Sequence, residues 1–183
     1  MGKLTGKTVA VLATHGFEQS ELEQPVAALK EAGATVHIVS PEGGKIKGWK
    51  DKNWGDEVTV DKVLSEADAG TYDALVLPGG VMNPDMLRVN KDAVDFVTTF
   101  VEESKPIGAI CHGPWTLVET NALKGRTLTS YPSIRTDLEN AGATWVDEEV
   151  HVDNGLVTSR TPKDLPAFCK KLVEEVAEGV HAG

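Results

Sequence analysis

The chain has 183 residues, 40% of them hydrophobic and 25% charged, with a formal net charge of -10. That is the composition of an ordinary globular protein long enough to bury its own core, and one domain over 1–183 is expected. The acidic balance argues against nucleic acid or an anionic membrane as a partner, and no run approaches the roughly 18 apolar residues of a membrane span.

In chain order, Val9 to Ala13 is a continuous apolar run, the mark of a strand buried on both faces. The loop THGFEQ comes next, carrying His15 and Glu18. A helix is predicted through SELEQPVAALKEAG, with Ser20 and Glu23 at capping-box spacing and Gly33 at its end. Pro25 fits this helix only near its first turn. Thr35 to Val39 gives a second strand, and residues 41–57 read as loop or irregular hairpin. Asp61 is placed to cap a short helix to Ala67. Asp73 to Leu77 is a third buried strand running into Pro78-Gly79-Gly80, and a helix over 91–105 leads to a fourth strand, Ile107 to Ile110. The order strand, helix, strand, helix, strand, helix, strand, with apolar rather than alternating strands, predicts an α/β fold with a doubly wound, mostly parallel sheet flanked by helices.

The last third reads as a helix over 133–142, two extended segments around Asn154-Gly155 that form a C-terminal hairpin, and a final helix over 163–179. That helix carries Leu165, Phe168, Cys169, Leu172, Val173 and Val176 on one face, so Cys169 is expected to pack.

Open α/β sheets bind ligands beyond the carboxyl ends of their strands. Three such ends carry unusual residues: THGFE, PGG, and Cys111-His112-Gly113. Cys111 falls where a strand stops and a helix is predicted to begin, with Pro114 in its first turn. Unpaired amides and the helix dipole there favour a thiolate. Amides after the nucleophile, with others from Gly79-Gly80, can hold an oxyanion. Glu18 offers a carboxyl group whose pKa should rise beside a thiolate, letting it donate a hydrogen bond to sulfur. His112 can serve as base only if the backbone is strained at the bend or the imidazole reaches around to the shared substrate, since adjacent side chains usually diverge. His15 and Trp115 are candidate pocket walls, with an exposed loop role and simple packing as their alternatives. Arg160 and Asp164 in TSRTPKDL either order the loop near the site or form a local ion pair.

The five histidines lack the short paired spacings of a zinc site, and PGGVMN matches neither a Walker loop nor a dinucleotide fingerprint, so no metal or cofactor is expected. His151-Val152-Asp153 imitates the late histidine–acid pair of an amidotransferase, but it sits beside the Asn154-Gly155 turn. Two cysteines, Cys111 and Cys169, make no disulfide framework, and MGKLTGKTVAVLA carries no secretory cleavage site. A reducing cytoplasm is the expected compartment.

AICHGPW, VLPGG, GFEQSELEQP and TSRTPKDL together resemble the PfpI-type intracellular protease and protein deglycase family. Its superfamily includes the parkinsonism-associated human deglycase and class I glutamine amidotransferase-like, flavodoxin-like proteins. GWKDKNW and DLPAF are similar to a bacterial stress-protein subgroup. The resemblance implies Cys111 as nucleophile, His112 as its partner, Glu18 as the carboxyl group touching sulfur, and Gly80 with the His112 amide as oxyanion donors. It also implies an acidic residue from a neighbouring subunit, best matched by Asp85, although Asp is one carbon shorter than the usual Glu and this loop is one residue longer. A homodimer or hexamer is implied. The expected activity is cysteine-dependent hydrolysis or hydration of small reactive carbonyls or glycated protein. An intersubunit cysteine peptidase and a non-enzymatic redox sensor are the alternatives.

Overall fold

The computed structural model describes residues 2–180. In chain order the elements are β1 (Thr8–Leu12), α1 (Gln19–Glu31), β2 (Thr35–Ser40), β3 (Lys45–Lys50), β4 (Asn53–Thr59), β5 (Lys62–Val63), β6 (Ala74–Leu77), α2 (Met82–Leu87) and α3 (Lys91–Glu102). The chain continues through β7 (Ile107–Ile110), β8 (Thr127–Leu128), α4 (Arg135–Asn140), β9 (Thr144–Trp145), β10 (His151–Asp153), β11 (Leu156–Ser159) and α5 (Leu165–Glu178). Seven strands form the main sheet in the order β10-β11-β7-β6-β1-β2-β5. All its pairings are parallel except β10 with β11. The doubly wound sheet read from the apolar strands is therefore present.

Each central strand is buried on both faces because its alternate side chains enter different cores. From β1, Ala10 and Leu12 join Phe96, Val97 and Phe100 of α3, while Val9 and Val11 join Leu22 and Leu29 of α1 and Phe168 and Leu172 of α5. Cys169 is half-buried against the second core, as a packing residue should be.

Three local expectations change. The Ser20–Glu23 capping box does not form: α1 begins at Gln19, and Glu18 occupies the cap position without a side-chain cap bond. Pro25 lies in the middle of α1, which leaves the Glu21 carbonyl without its helical donor. Asp61 caps no helix, because its carboxylate accepts the Ile38 N–H (2.7 Å) and its own N–H donates to the Ile38 carbonyl (2.8 Å). That tie leads into β5 alongside β2. Of the two readings for residues 41–57, the irregular hairpin is the one that forms: β3 pairs antiparallel with β4, turned by Asp51 and Lys52 at φ of 50° and 64° and bulged between Lys47 and Trp49. The Asn154-Gly155 turn forms as read, at φ of 43° and 82°.

Candidate active site

The three loops do converge, and one buried side chain clamps two of them. Asn83, with no exposed surface, accepts the Thr14 N–H at 2.8 Å and donates to the carbonyls of Pro78 (3.0 Å) and Gly79 (3.1 Å). The loop after β1 and the Gly-Gly loop after β6 are thus locked together.

Cys111 ends β7 at φ 63°, a left-handed conformation that costs a non-glycine residue about 1–3 kcal/mol. Neighbours hold it there: its N–H donates to the Ser159 carbonyl (3.1 Å) and its carbonyl accepts the Tyr131 N–H (2.9 Å). The next segment, Gly113–Thr120, is a 3-10 helix rather than the expected α-helix. Gly113 packs on the sheet, where a Cβ would lie 2.3 Å from the Leu77 carbonyl oxygen, so it supports the bend instead of lining the pocket.

Glu21, not Glu18, is the carboxyl group at the sulfur. It lies in the first turn of α1 with no exposed surface, accepts the Gly79 N–H at 3.0 Å, and faces the Cys111 side chain. Its Oε2 is buried with no hydrogen-bond partner. Burial pushes the Glu21 pKa well up, and the charge of Glu18 adds to that. Glu18 is half-buried on the cavity rim, its pKa raised by burial and by Asp51. The sequence did carry a signal for Glu21. Glu21, Pro25 and Leu29 recur at helical spacing on the buried side of α1, and a carboxyl group on such a stripe demands a partner.

The Gly79 amide is committed to Glu21, so of the two glycines only Gly80 offers an N–H to sulfur; the His112 amide is the second donor. The resemblance implied these two amides as oxyanion donors; here they face the sulfur. Gly80 sits at φ 79°, and a Cβ there would come 2.3 Å from the Gly16 carbonyl oxygen. Burial raises the Cys111 thiol pKa, and a charged Glu21 raises it further, against these two amides. The resting thiolate expected from a helix terminus is therefore opposed. A protonated Glu21 removes the repulsion and supplies a donor, which makes the carboxyl proton the control on sulfur.

The bend solves the problem of adjacency. His112 Nδ1 lies 3.2 Å from Cys111 Sγ, and its Nε2 lies 3.1 Å from Ser133 Oγ. The ring stacks on Tyr131 with centroids 4.7 Å apart at 22°, and burial lowers its pKa. Trp115 packs behind it at 5.9 Å and donates its indole N–H to Asp137, so it fills space outside the cavity. His15 lies outside as well, its Nδ1 accepting the Lys47 N–H at 3.1 Å to tie the first loop to β3. Asp85 is exposed on α2 and reaches neither the cavity nor His112 within the chain. Sequence reading missed Trp49, Asn83, Tyr131 and Ser133, all ordinary residues that only the fold brings near sulfur.

Over Cys111 opens a cavity of about 550 Å³ walled by Trp49, Val81, Met82, Tyr131 and Pro162. Among the described residues, no lysine or arginine lines it. The Pro162 wall is held by Arg160, whose main-chain N–H and guanidinium donate to Asp164 at 2.9–3.1 Å. The loop-ordering reading of TSRTPKDL therefore stands beside the local ion pair.

Residues 7–175 match the DJ-1/PfpI family. The chain belongs to this family. It is 48% identical over 165 residues to general stress protein 18 of Bacillus subtilis, covering 89% of this chain and 94% of that one. It is 45% identical over 164 residues to protein/nucleic acid deglycase 2 of Escherichia coli, covering 88% and 93%. Among solved structures, Drosophila melanogaster DJ-1beta superposes with a TM-score of 0.85 at 28% identity, covering 97% of this chain and 91% of that one. Family membership agrees with the α/β architecture and with a cysteine at the elbow. Among the described residues, no helix is long and apolar enough to cross a membrane.

Proposed function

We propose that this protein is a cysteine-dependent hydrolase that converts small reactive carbonyls, or their adducts on protein, to hydroxy acids. The observation that carries the reading is the placement of one strained cysteine at the floor of a cavity. Two backbone amides, a buried carboxyl group and a histidine nitrogen all reach its sulfur. Relatives named deglycases support the choice of substrate.

His112 Nδ1 takes the thiol proton, and the sulfur adds to the aldehyde carbon of methylglyoxal, either free or released when a hemiaminal adduct expels its amine with the hydroxyl proton passing to the leaving nitrogen. The amides of Gly80 and His112 hold the oxyanion. His112 returns its proton to that oxygen, then takes the proton from the aldehyde carbon while protonated Glu21 delivers one to the neighbouring carbonyl carbon. Glu21 is reprotonated by His112, and the hydroxyl proton passes to the neighbouring oxygen. The first carbon is oxidised and the second reduced, so no outside oxidant enters. Water cleaves the resulting thioester to lactate and returns the thiol. The apolar, aromatic walls suit an aldehyde attached to a larger group, and the carboxyl groups of Glu18 and Glu21 suit neutral or cationic adducts. Two free thiols fit work in a reducing cytoplasm by one domain spanning 1–183. Low exposure of Cys111 (7%) and the upward push on its thiol count against a redox sensor.

The test is to incubate purified protein with methylglyoxal and follow lactate. Lactate must depend on Cys111, vanish in Cys111→Ala, and survive Cys169→Ser. Lactate formed equally by Cys111→Ala would refute the mechanism.

One observation favours a second reading, an intersubunit peptidase. Asp85 lies among the exposed apolar side chains Val81, Met82, Met86 and Val89, a surface suited to a second copy. Peptide cleavage lost in Asp85→Ala, together with a concentration-dependent dimer, would support it.

A further inference from the structure

We propose that Ser133 is the positioning residue for His112, completing a Cys111–His112–Ser133 relay within one subunit. This rests on Cys111 and His112 acting as nucleophile and base. For Nδ1 to accept the thiol proton it must be the bare nitrogen, so the ring hydrogen must reside on Nε2. That hydrogen needs an acceptor, and Ser133 Oγ stands 3.1 Å from Nε2. A hydroxyl oxygen accepts from Nε2–H before the transfer and from the imidazolium afterwards, so the contact survives the step it prepares.

The placement is built rather than incidental. Residues 131–133 touch the nucleophile dipeptide three times: the Tyr131 N–H donates to the Cys111 carbonyl at 2.9 Å, the Tyr131 ring stacks on His112 at 4.7 Å, and Ser133 meets Nε2. A 3-10 turn over Pro132–Ile134, with Pro132 in its first position, fixes the path of this segment. One short stretch therefore sets the elbow, the plane of the imidazole and its tautomer. A hydroxyl carries no charge, so it orients the ring without stabilising the imidazolium as a carboxylate would. The base is left free to return its proton.

The experiment reads His112 directly by 15N NMR in protein labelled at histidine nitrogen, without substrate. It sets this beside the rate of Cys111 alkylation by iodoacetamide and the turnover of methylglyoxal. The Nε2–H tautomer is expected in the parent. Ser133→Ala should redistribute the ring toward Nδ1–H and lower the alkylation rate and kcat by about tenfold or more, with KM little changed. Ser133→Thr, which keeps the hydroxyl, should restore all three. Because Ser133 is exposed, the alanine variant should keep the parent melting temperature. An unchanged tautomer in Ser133→Ala, or a loss that Thr fails to restore, would overturn the proposal. So would a tautomer shift produced by Asp85→Ala and not by Ser133→Ala, which would assign the role to a second copy. Absence of lactate from the parent would instead refute the carbonyl reaction, while the tautomer would still judge Ser133.

Discussion

Replacing Glu21 and Glu18 one at a time separates the two carboxyl groups. In Glu21→Gln the amide oxygen can still accept the Gly79 N–H, and the amide nitrogen takes the place of Oε2, which has no hydrogen-bond partner. Stability should stay within about 1 kcal/mol of the parent, or roughly 2–4 °C in Tm. Glu21→Leu orphans a buried amide and should cost about 1–3 kcal/mol. Turnover separates from stability, because an amide cannot exchange a proton with the reacting carbon. Since positioned acid–base groups contribute about 10²–10⁴-fold, kcat for methylglyoxal should fall at least ~10²-fold in Glu21→Gln. Glu18→Gln, altered at the rim, should cost less than about tenfold.

The pH signature comes from the raised Glu21 pKa. Above the ordinary value of 4.5 the folded chain keeps a proton that the unfolded chain has released, so stability falls as pH rises through the folded pKa. Glu21→Gln lacks that loss, and its Tm advantage over the parent should grow across that range. Lactate assays and melting curves on the three variants decide it. A larger kcat loss in Glu18→Gln than in Glu21→Gln would refute the assignment of the sulfur's partner.

The other predictions probe the rest of the site. Gly80→Ala places a Cβ 2.3 Å from the Gly16 carbonyl at φ 79°, so it should destabilise by more than ~2 kcal/mol and cut kcat by roughly 10²-fold by displacing its N–H from the oxyanion position. A stable, fully active variant would remove Gly80 from the oxyanion site. Burial lowers the His112 pKa below 6.5, so the acid limb of kcat/KM should fall below that value; a limb above it would count against His112 as the base. Burial opposes ionisation of Asp164, but the Arg160 hydrogen bonds outweigh it and hold its pKa below 3.8. Its stabilisation is present above 3.8 and lost as pH falls through the folded value, and Asp164→Asn should lower Tm and raise KM through the Pro162 wall. With no lysine or arginine lining the cavity among the described residues, methylglyoxal adducts of N-acetylarginine should turn over faster than adducts bearing a phosphate, as paired lactate assays would read.

Much of the site is legible in the chain because strand ends carry their own punctuation. Buried strands read as apolar runs, and the residues after them have to meet at one edge of a parallel sheet. Cys111, His112 and Gly80 can therefore be named from the chain. Glu18 takes the place of Glu21 in that reading because the choice depends on where α1 begins. A shift of one residue turns the helix by about 100°, and here the start is set by pairing between Glu18 and Trp49 rather than by a local cap. Asp61 misleads for a related reason, since its carboxylate finds the Ile38 amide across the sheet instead of the amides after it.

The sequence by itself determined periodicity: two-sided burial of the strands, the Asn154-Gly155 turn, and an unusual residue at each strand end. Only tertiary structure decided which carboxyl group meets sulfur, that the Gly79 amide serves Glu21, and that Ser133 meets the far nitrogen of His112. Those contacts join residues from 21 to 90 positions apart, and their geometry comes from helix start, bend and turn acting together. Local composition encodes each device, but not the distance between them.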